Sequence, residues 1–265
     1  MTMDRRTANE KPAVLFLPGI VTPVDRSYAP LLALIGDQIQ PILKDLEVYE
    51  HAAPPLDYGL ELEVEGIRRV ADAAGLRRFH LVGFSGGGAA SLAFIAQYPE
   101  RLLSLALIEP AWIGSVNPED EEYWAGLGRL MTLPPEERMQ SFIRRHMRPG
   151  VEPPVMQMPP GPPPAWMAKR PAGMEAMARA FNTYTLDQQR FRLMSQPVYY
   201  GLGGLSTRFF EHGARTLAGL FPNMQIEEYA NRSHFDPPQR SEPERFAQAL
   251  HALWARSRAR AAVEQ

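Results

Sequence analysis

One segment constrains the fold more than any other. Phe79-His80-Leu81-Val82 runs directly into Gly83-Phe84-Ser85-Gly86-Gly87, and small residues continue from Gly86 to Ala96. That order reads as a buried strand, a turn crowded by glycines around a serine, and a closely packed helix. Glycines flank Ser85 because a Cβ beside it in a strained strand-to-helix turn would collide with the packed elements. The turn lifts the Ser85 hydroxyl clear of the sheet. A phosphate loop is the competing reading, since Gly86-Gly87-Gly88 precede a helix, but no Gly-Lys-Ser/Thr follows and G-x-G-x-x-G is not matched.

Strands and helices alternate on either side. Ala13 to Leu17 is an uninterrupted apolar run stopped by Pro18-Gly19, as expected of a strand buried on both faces. Helical spacing follows around Leu31, Leu32, Ile35 and Ile39, then Leu46-Glu47-Val48-Tyr49 reads as the second strand. Leu60, Val64, Ile67, Ala71 and Ala74 share a helix face that Gly75 ends. Leu102 to Ile108 is the next strand after the serine turn. Alternation resumes with Val198 to Tyr200, a helix around Phe209 to Phe221, a strand at Gln225 to Tyr229, and a last helix from Ser241 that Glu244 completes as a capping box. The pattern predicts an α/β fold: a doubly wound, mostly parallel sheet of about six strands with helices on both faces.

Between Trp112 and Gln196 the alternation breaks. Nine of the twelve methionines lie there, with a proline-dense stretch from Pro149 to Pro171. The expected organisation is a core in two parts, 12–111 and 197–256, a mainly helical cap at 112–196, and flexible tails at 1–11 and 257–265. Arg256, Arg258 and Arg260 read as a solvated helix end.

Composition narrows the function. A formal net charge of −2 gives no basic field for nucleic acid, and the absence of cysteine rules out disulfides, thiolate metal sites and a thiol nucleophile. No apolar run is long enough to span a bilayer, and the polar start, Met1 to Lys11, lacks the apolar stretch of a signal peptide. A cytoplasmic protein acting on a small molecule, with no cofactor, is expected.

His234, in Asn231-Arg232-Ser233-His234-Phe235, follows the last predicted strand and so projects from a loop at the sheet edge that carries Ser85. It is the candidate base; His51, His80, His146, His212 and His251 fall within strands, helices or the cap and read as ordinary histidines. With the serine turn, the Pro18-Gly19-Ile20 turn and the Ser-His-Phe element in place, the chain resembles the α/β-hydrolase superfamily, cap-bearing serine hydrolases in particular, from Ala13 to about Trp254.

The resemblance implies an oxyanion hole made by the backbone N–H groups of Ile20 and Gly86, with Pro18 where a histidine often stands. It also implies two leading strands, for which few residues precede Ala13, and a triad acid after the strand at Val198, where Gly201-Leu202-Gly203-Gly204-Leu205-Ser206 offers no carboxylate. Glu109, closing the strand that follows the serine helix, is the expected acid, with Asp236 and Asp187 as weaker candidates. The implied chemistry is hydrolysis of a small, largely apolar carboxylic ester through an acyl-enzyme. C–C bond or thioester hydrolysis with the same residues, or a catalytically silent ligand-binding protein, are the alternatives. A subset of Met131, Met139, Met156, Met158, Met167, Met174, Met177 and Met194, with Trp112, Trp124 and Trp166, is expected to line the substrate pocket.

Overall fold

The computed structural model describes residues 11–114, 121–130, 132–153 and 164–263. Its strands are β1 (Ala13–Leu17), β2 (Gln40–Leu43), β3 (Phe79–Phe84), β4 (Leu102–Ile108), β5 (Val198–Gly203) and β6 (Met224–Tyr229). They form one six-stranded sheet in the order β2-β1-β3-β4-β5-β6, and every pairing is parallel. Helices supply the crossovers: α1 (Val24–Ile35), α2 (Leu60–Ala73) and α3 (Gly86–Gln97) in the first half. Between β4 and β5 come α4 (Glu121–Leu130), α5 (Pro135–Arg145), the short α6 (Ala165–Ala168) and α7 (Arg170–Thr183). After β5 follow α8 (Arg208–Ala218), the short α9 (Pro238–Ser241) and α10 (Pro243–Val263).

The central strands are apolar at successive positions because both sheet faces are covered. Val14 and Phe16 of β1 pack with Leu31 of α1 and with Phe246, Leu250 and Leu253 of α10. Leu15 and Leu17, pointing the other way, join the core under α2 and α3. Among the described residues no helix is long and apolar enough to cross a membrane.

The second strand is not where the apolar residues put it. Glu47–Tyr49 is a 3-10 turn, and the strand is Gln40–Leu43, at the exposed edge of the sheet. An edge strand has little apolar surface to bury, so it carries no run to find. Leu46, Val48 and Tyr49 are apolar because they pack inward from the turn. Buried Glu63 of α2 pins that turn, its carboxylate accepting the N–H groups of Glu47 and Val48 at 3.0 and 3.2 Å.

The expected capping box is also absent. Ser241 ends α9 and donates its hydroxyl to Asp236, while α10 starts at Pro243, whose fixed φ suits a first helical position. Nor does a tail begin at residue 257. There α10 continues to Val263, Ser257 donates to the Leu103 carbonyl at 2.8 Å, and Arg256 reaches the Val198 carbonyl at 3.2 Å.

Candidate active site

Register brings the two carboxyl-end residues side by side. Phe84 pairs with Ile108 across β3 and β4, so Ser85 and Glu109 leave adjacent strands together. Among the described residues these two are the non-glycine positions with positive φ, +52° and +41°. Such backbone is held only where surrounding bonds enforce it. Here the Ser85 N–H donates to the Ile108 carbonyl, and the Ala111 N–H to that of Ser85, both at 2.9 Å. The flanking glycines are required by contact: a Cβ on Gly83 would lie 2.4 Å from Ser91 Oγ, and one on Gly87 2.5 Å from the Pro18 carbonyl.

His234 reaches the pair from the loop after β6. Its Nε2 lies 2.9 Å from Ser85 Oγ and its Nδ1 2.9 Å from Glu109 Oε2, with all three residues buried. The other Glu109 oxygen accepts the Gly203 N–H at 2.8 Å, from the loop after β5 that holds no carboxylate. Asp236 is turned away, paired with Arg232 at 2.9 Å, and Asp187 receives the Gln189 N–H at the start of a 3-10 turn.

Ile20 and Gly86 approach closely, since a Cβ on Gly86 would fall 3.6 Å from the Ile20 nitrogen. Among the described residues neither N–H has a hydrogen-bond partner. The Ile20 carbonyl is fixed by the Tyr49 hydroxyl at 2.6 Å and, more loosely, by Arg170 at 3.5 Å, whose guanidinium lies over the Tyr49 ring at 3.8 Å.

A sequence profile for the alpha/beta hydrolase fold matches residues 12–138. The chain has the α/β-hydrolase fold. Its fold is shared with a thermophilic esterase from Thermogutta terrifontis (TM-score 0.69, 19% identity, 94% of this chain and 91% of that one). It is also shared with naproxen esterase from Bacillus subtilis (TM-score 0.64, 16% identity, 93% and 84%). In sequence it is 34% identical over 85 residues to 2-hydroxy-6-oxo-6-phenylhexa-2,4-dienoate hydrolase of Comamonas testosteroni, 31% of this chain and 30% of that protein. The same enzyme of Burkholderia cepacia is 32% identical over 88 residues, 32% and 31%. The chain thus spans less than a third of the length of these relatives.

The His234 ring is enclosed by aromatic groups. Phe210 stacks on it at 4.3 Å, His146 at 4.9 Å, and Phe84 and Phe235 lie at 5.0 and 5.6 Å. Taking the ring out of water disfavours its charged form and pushes its pKa down. Burial pushes the Glu109 carboxyl up; the Gly203 N–H and the nearby Ser206 hydroxyl, which falls short of full hydrogen-bond geometry, oppose the rise. An Nδ1–H donated by His234 would oppose it further.

His146 was not marked by its sequence context, yet it lines the pocket over Ser85. Its Nδ1 donates to the Phe142 carbonyl at 2.7 Å, which leaves Nε2 to accept from Tyr123 at 2.9 Å. It is therefore held neutral. The pocket, about 240 Å³, is walled by Trp124 and Leu127 of α4, Met139 and Phe142 of α5, and Met174, Met177 and Phe181 of α7. Of the residues expected to line it, Met139, Met174, Met177 and Trp124 do. Met167, Met194, Trp112 and Trp166 do not, and Met131, Met156 and Met158 lie outside the described residues. Trp112 instead stacks on the back of Phe181 at 5.7 Å.

Proposed function

We propose that this chain is a serine hydrolase of carboxylic esters with a largely apolar acyl group. Ser85 is the nucleophile, His234 the general base, and Glu109 the acid that orients it. The reading rests on one observation above all, the relay of two 2.9 Å contacts from Ser85 Oγ through His234 to Glu109 Oε2. With Nδ1–H directed at Glu109, Nε2 carries the lone pair that accepts the Ser85 proton as Oγ attacks the ester carbonyl. The oxyanion that forms is received by the Ile20 and Gly86 N–H groups. Collapse expels the alcohol, which takes the proton from Nε2, and water repeats the sequence to free the acid. The Met- and aromatic-lined pocket supports an apolar acyl group. Ser85→Ala should remain folded and lose turnover of p-nitrophenyl butyrate to background; a folded variant with undiminished turnover refutes the assignment.

A second reading is C–C bond hydrolysis, favoured by the names of the two sequence relatives. The relay would serve it, but a dienoate substrate carries a carboxylate, and Arg138 is the one charged residue lining the pocket among those described. Assays on p-nitrophenyl butyrate and on 2-hydroxy-6-oxo-6-phenylhexa-2,4-dienoate separate the two. Turnover confined to the dienoate, and lost in Arg138→Gln, favours the second.

A further inference from the structure

A second concave surface lies across the wall formed by Tyr123 and Leu130, which line both it and the Ser85 pocket. It is an open groove of about 980 Å³ between the outer faces of α4 and α5 and the start of α8. Helical spacing directs basic groups into it: Arg129 from α4, Arg144 and Arg145 from the last turn of α5, and Arg208 from the first turn of α8. Glu122 is the one carboxylate in its lining among the described residues. None of the four arginines forms an ion pair among those residues, whereas neighbouring Arg148 pairs with Glu211 at 3.6 Å. In a chain of formal net charge −2 this concentration is local, not compositional.

Arg145 is the most informative member. Its guanidinium occupies the space a Cβ on Gly126 would need, so α4 makes room for it. Its Nη1 reaches only the Glu122 carbonyl, at 3.5 Å, and its Nε is buried with no partner. Arg145 is half-buried, and a guanidinium whose Nε is shielded from water without a partner, set beside like charges, is stabilised when an anion joins them. The N-terminus of α8 adds N–H groups and the positive end of a helix dipole, through Thr207, Arg208 and Phe209. The floor is apolar, with Tyr123 stacked on Phe209 at 4.1 Å.

We propose that this groove binds an organic di- or polyphosphate. A lone phosphate satisfies one or two guanidiniums, whereas four around a groove of this size fit linked phosphates, each pairing with its own arginine. The apolar floor takes the organic portion. The phosphates belong either to a free ligand or to the leaving group of a substrate whose acyl part enters the Ser85 pocket; only the latter source rests on the hydrolase reading.

Calorimetric titration with inorganic pyrophosphate tests the site without any turnover. The wild-type protein should bind one equivalent, more weakly as salt is added. Arg144→Gln/Arg208→Gln, on exposed side chains, should weaken binding by about tenfold or more with an unchanged thermal melt, and Arg129→Gln by less. No binding at millimolar pyrophosphate, or equal affinity in the double variant, overturns the proposal. Kinetics then separate the sources. A raised KM in the double variant for butyryl-coenzyme A, with S-butyryl-N-acetylcysteamine unaffected, identifies the leaving group. Two thioesters equally affected, or both uncleaved, beside intact pyrophosphate binding, identify a free ligand.

Discussion

Ser85 and Glu109 sit in strained backbone at neighbouring strand ends, and His234 spans the gap between them. Ser85 and His234 were legible from local order, because a glycine-flanked serine after a strand and a histidine after the last strand each carry their context with them. Glu109 showed only as a charge closing an apolar strand; what distinguishes it from Asp236 is that Arg232 and Ser241 already occupy Asp236. His146 was not legible, since it meets His234 through packing across 88 residues of chain. If Glu109 sets the His234 tautomer, Glu109→Gln should fold normally and lower kcat by several orders of magnitude, as loss of the acid does in serine proteases. Asp187→Asn and Asp236→Asn should stay near wild type. The pH profile gives a second check. A general base works when neutral, and the aromatic enclosure lowers the His234 pKa, so activity persists as pH falls through 6.5 and is lost only below it. An acid limb of kcat/KM at or above 6.5 would contradict that electrostatic account.

At the scale of elements, the turn that ends at Tyr49 bears directly on the site. Leu46 to Tyr49 looked like a strand because its residues are buried, but burial from a turn and burial from a sheet leave the same short apolar signature. The turn delivers the Tyr49 hydroxyl to the Ile20 carbonyl, and so fixes a peptide next to the one whose N–H is assigned to the oxyanion. Tyr49→Phe should therefore lower kcat by about tenfold with KM little changed. A change in KM alone would mean that the turn serves binding rather than the oxyanion. The helices between β4 and β5 make a different prediction. Their side chains leave an apolar pocket, and each methylene buried there contributes about 0.8 kcal/mol. Among p-nitrophenyl esters, kcat/KM should rise from acetate to medium-length acyl chains and fall for charged ones; a flat series would assign those helices to packing alone.

For the whole molecule, the six-stranded parallel sheet was legible from alternation, because strands buried on both faces write their burial directly into the sequence. The exposed edge strand and the run of α10 beyond residue 256 were not, since one buries little and the other is anchored by polar contacts. The core also holds three neutral histidines, His80, His146 and His234, whose pKa values burial lowers. Below pH 6.5 the unfolded chain takes up protons there that the folded chain refuses, so stability drops on acidification. Buried Glu63 and Glu109, raised in pKa, act in the opposite sense, and a variant isolates one term. His80 lies away from the site, bonded to Ser104 Oγ at 2.7 Å, with its pKa pushed down to about 3. Relative to His80→Gln, wild-type unfolding free energy should fall by up to about 1.4 kcal/mol per pH unit below 6.5 in urea titrations. Parallel pH dependences would show that His80 protonates in place. The central claim is that one serine in this chain is activated, and covalent labelling of the intact protein tests it most directly. Treated with a fluorophosphonate, the wild-type chain should gain the mass of a single adduct, carried by the peptide containing Ser85, with none on Ser85→Ala and slow labelling of His234→Ala. An unlabelled wild-type chain, or an adduct that persists in folded Ser85→Ala, would contradict the account.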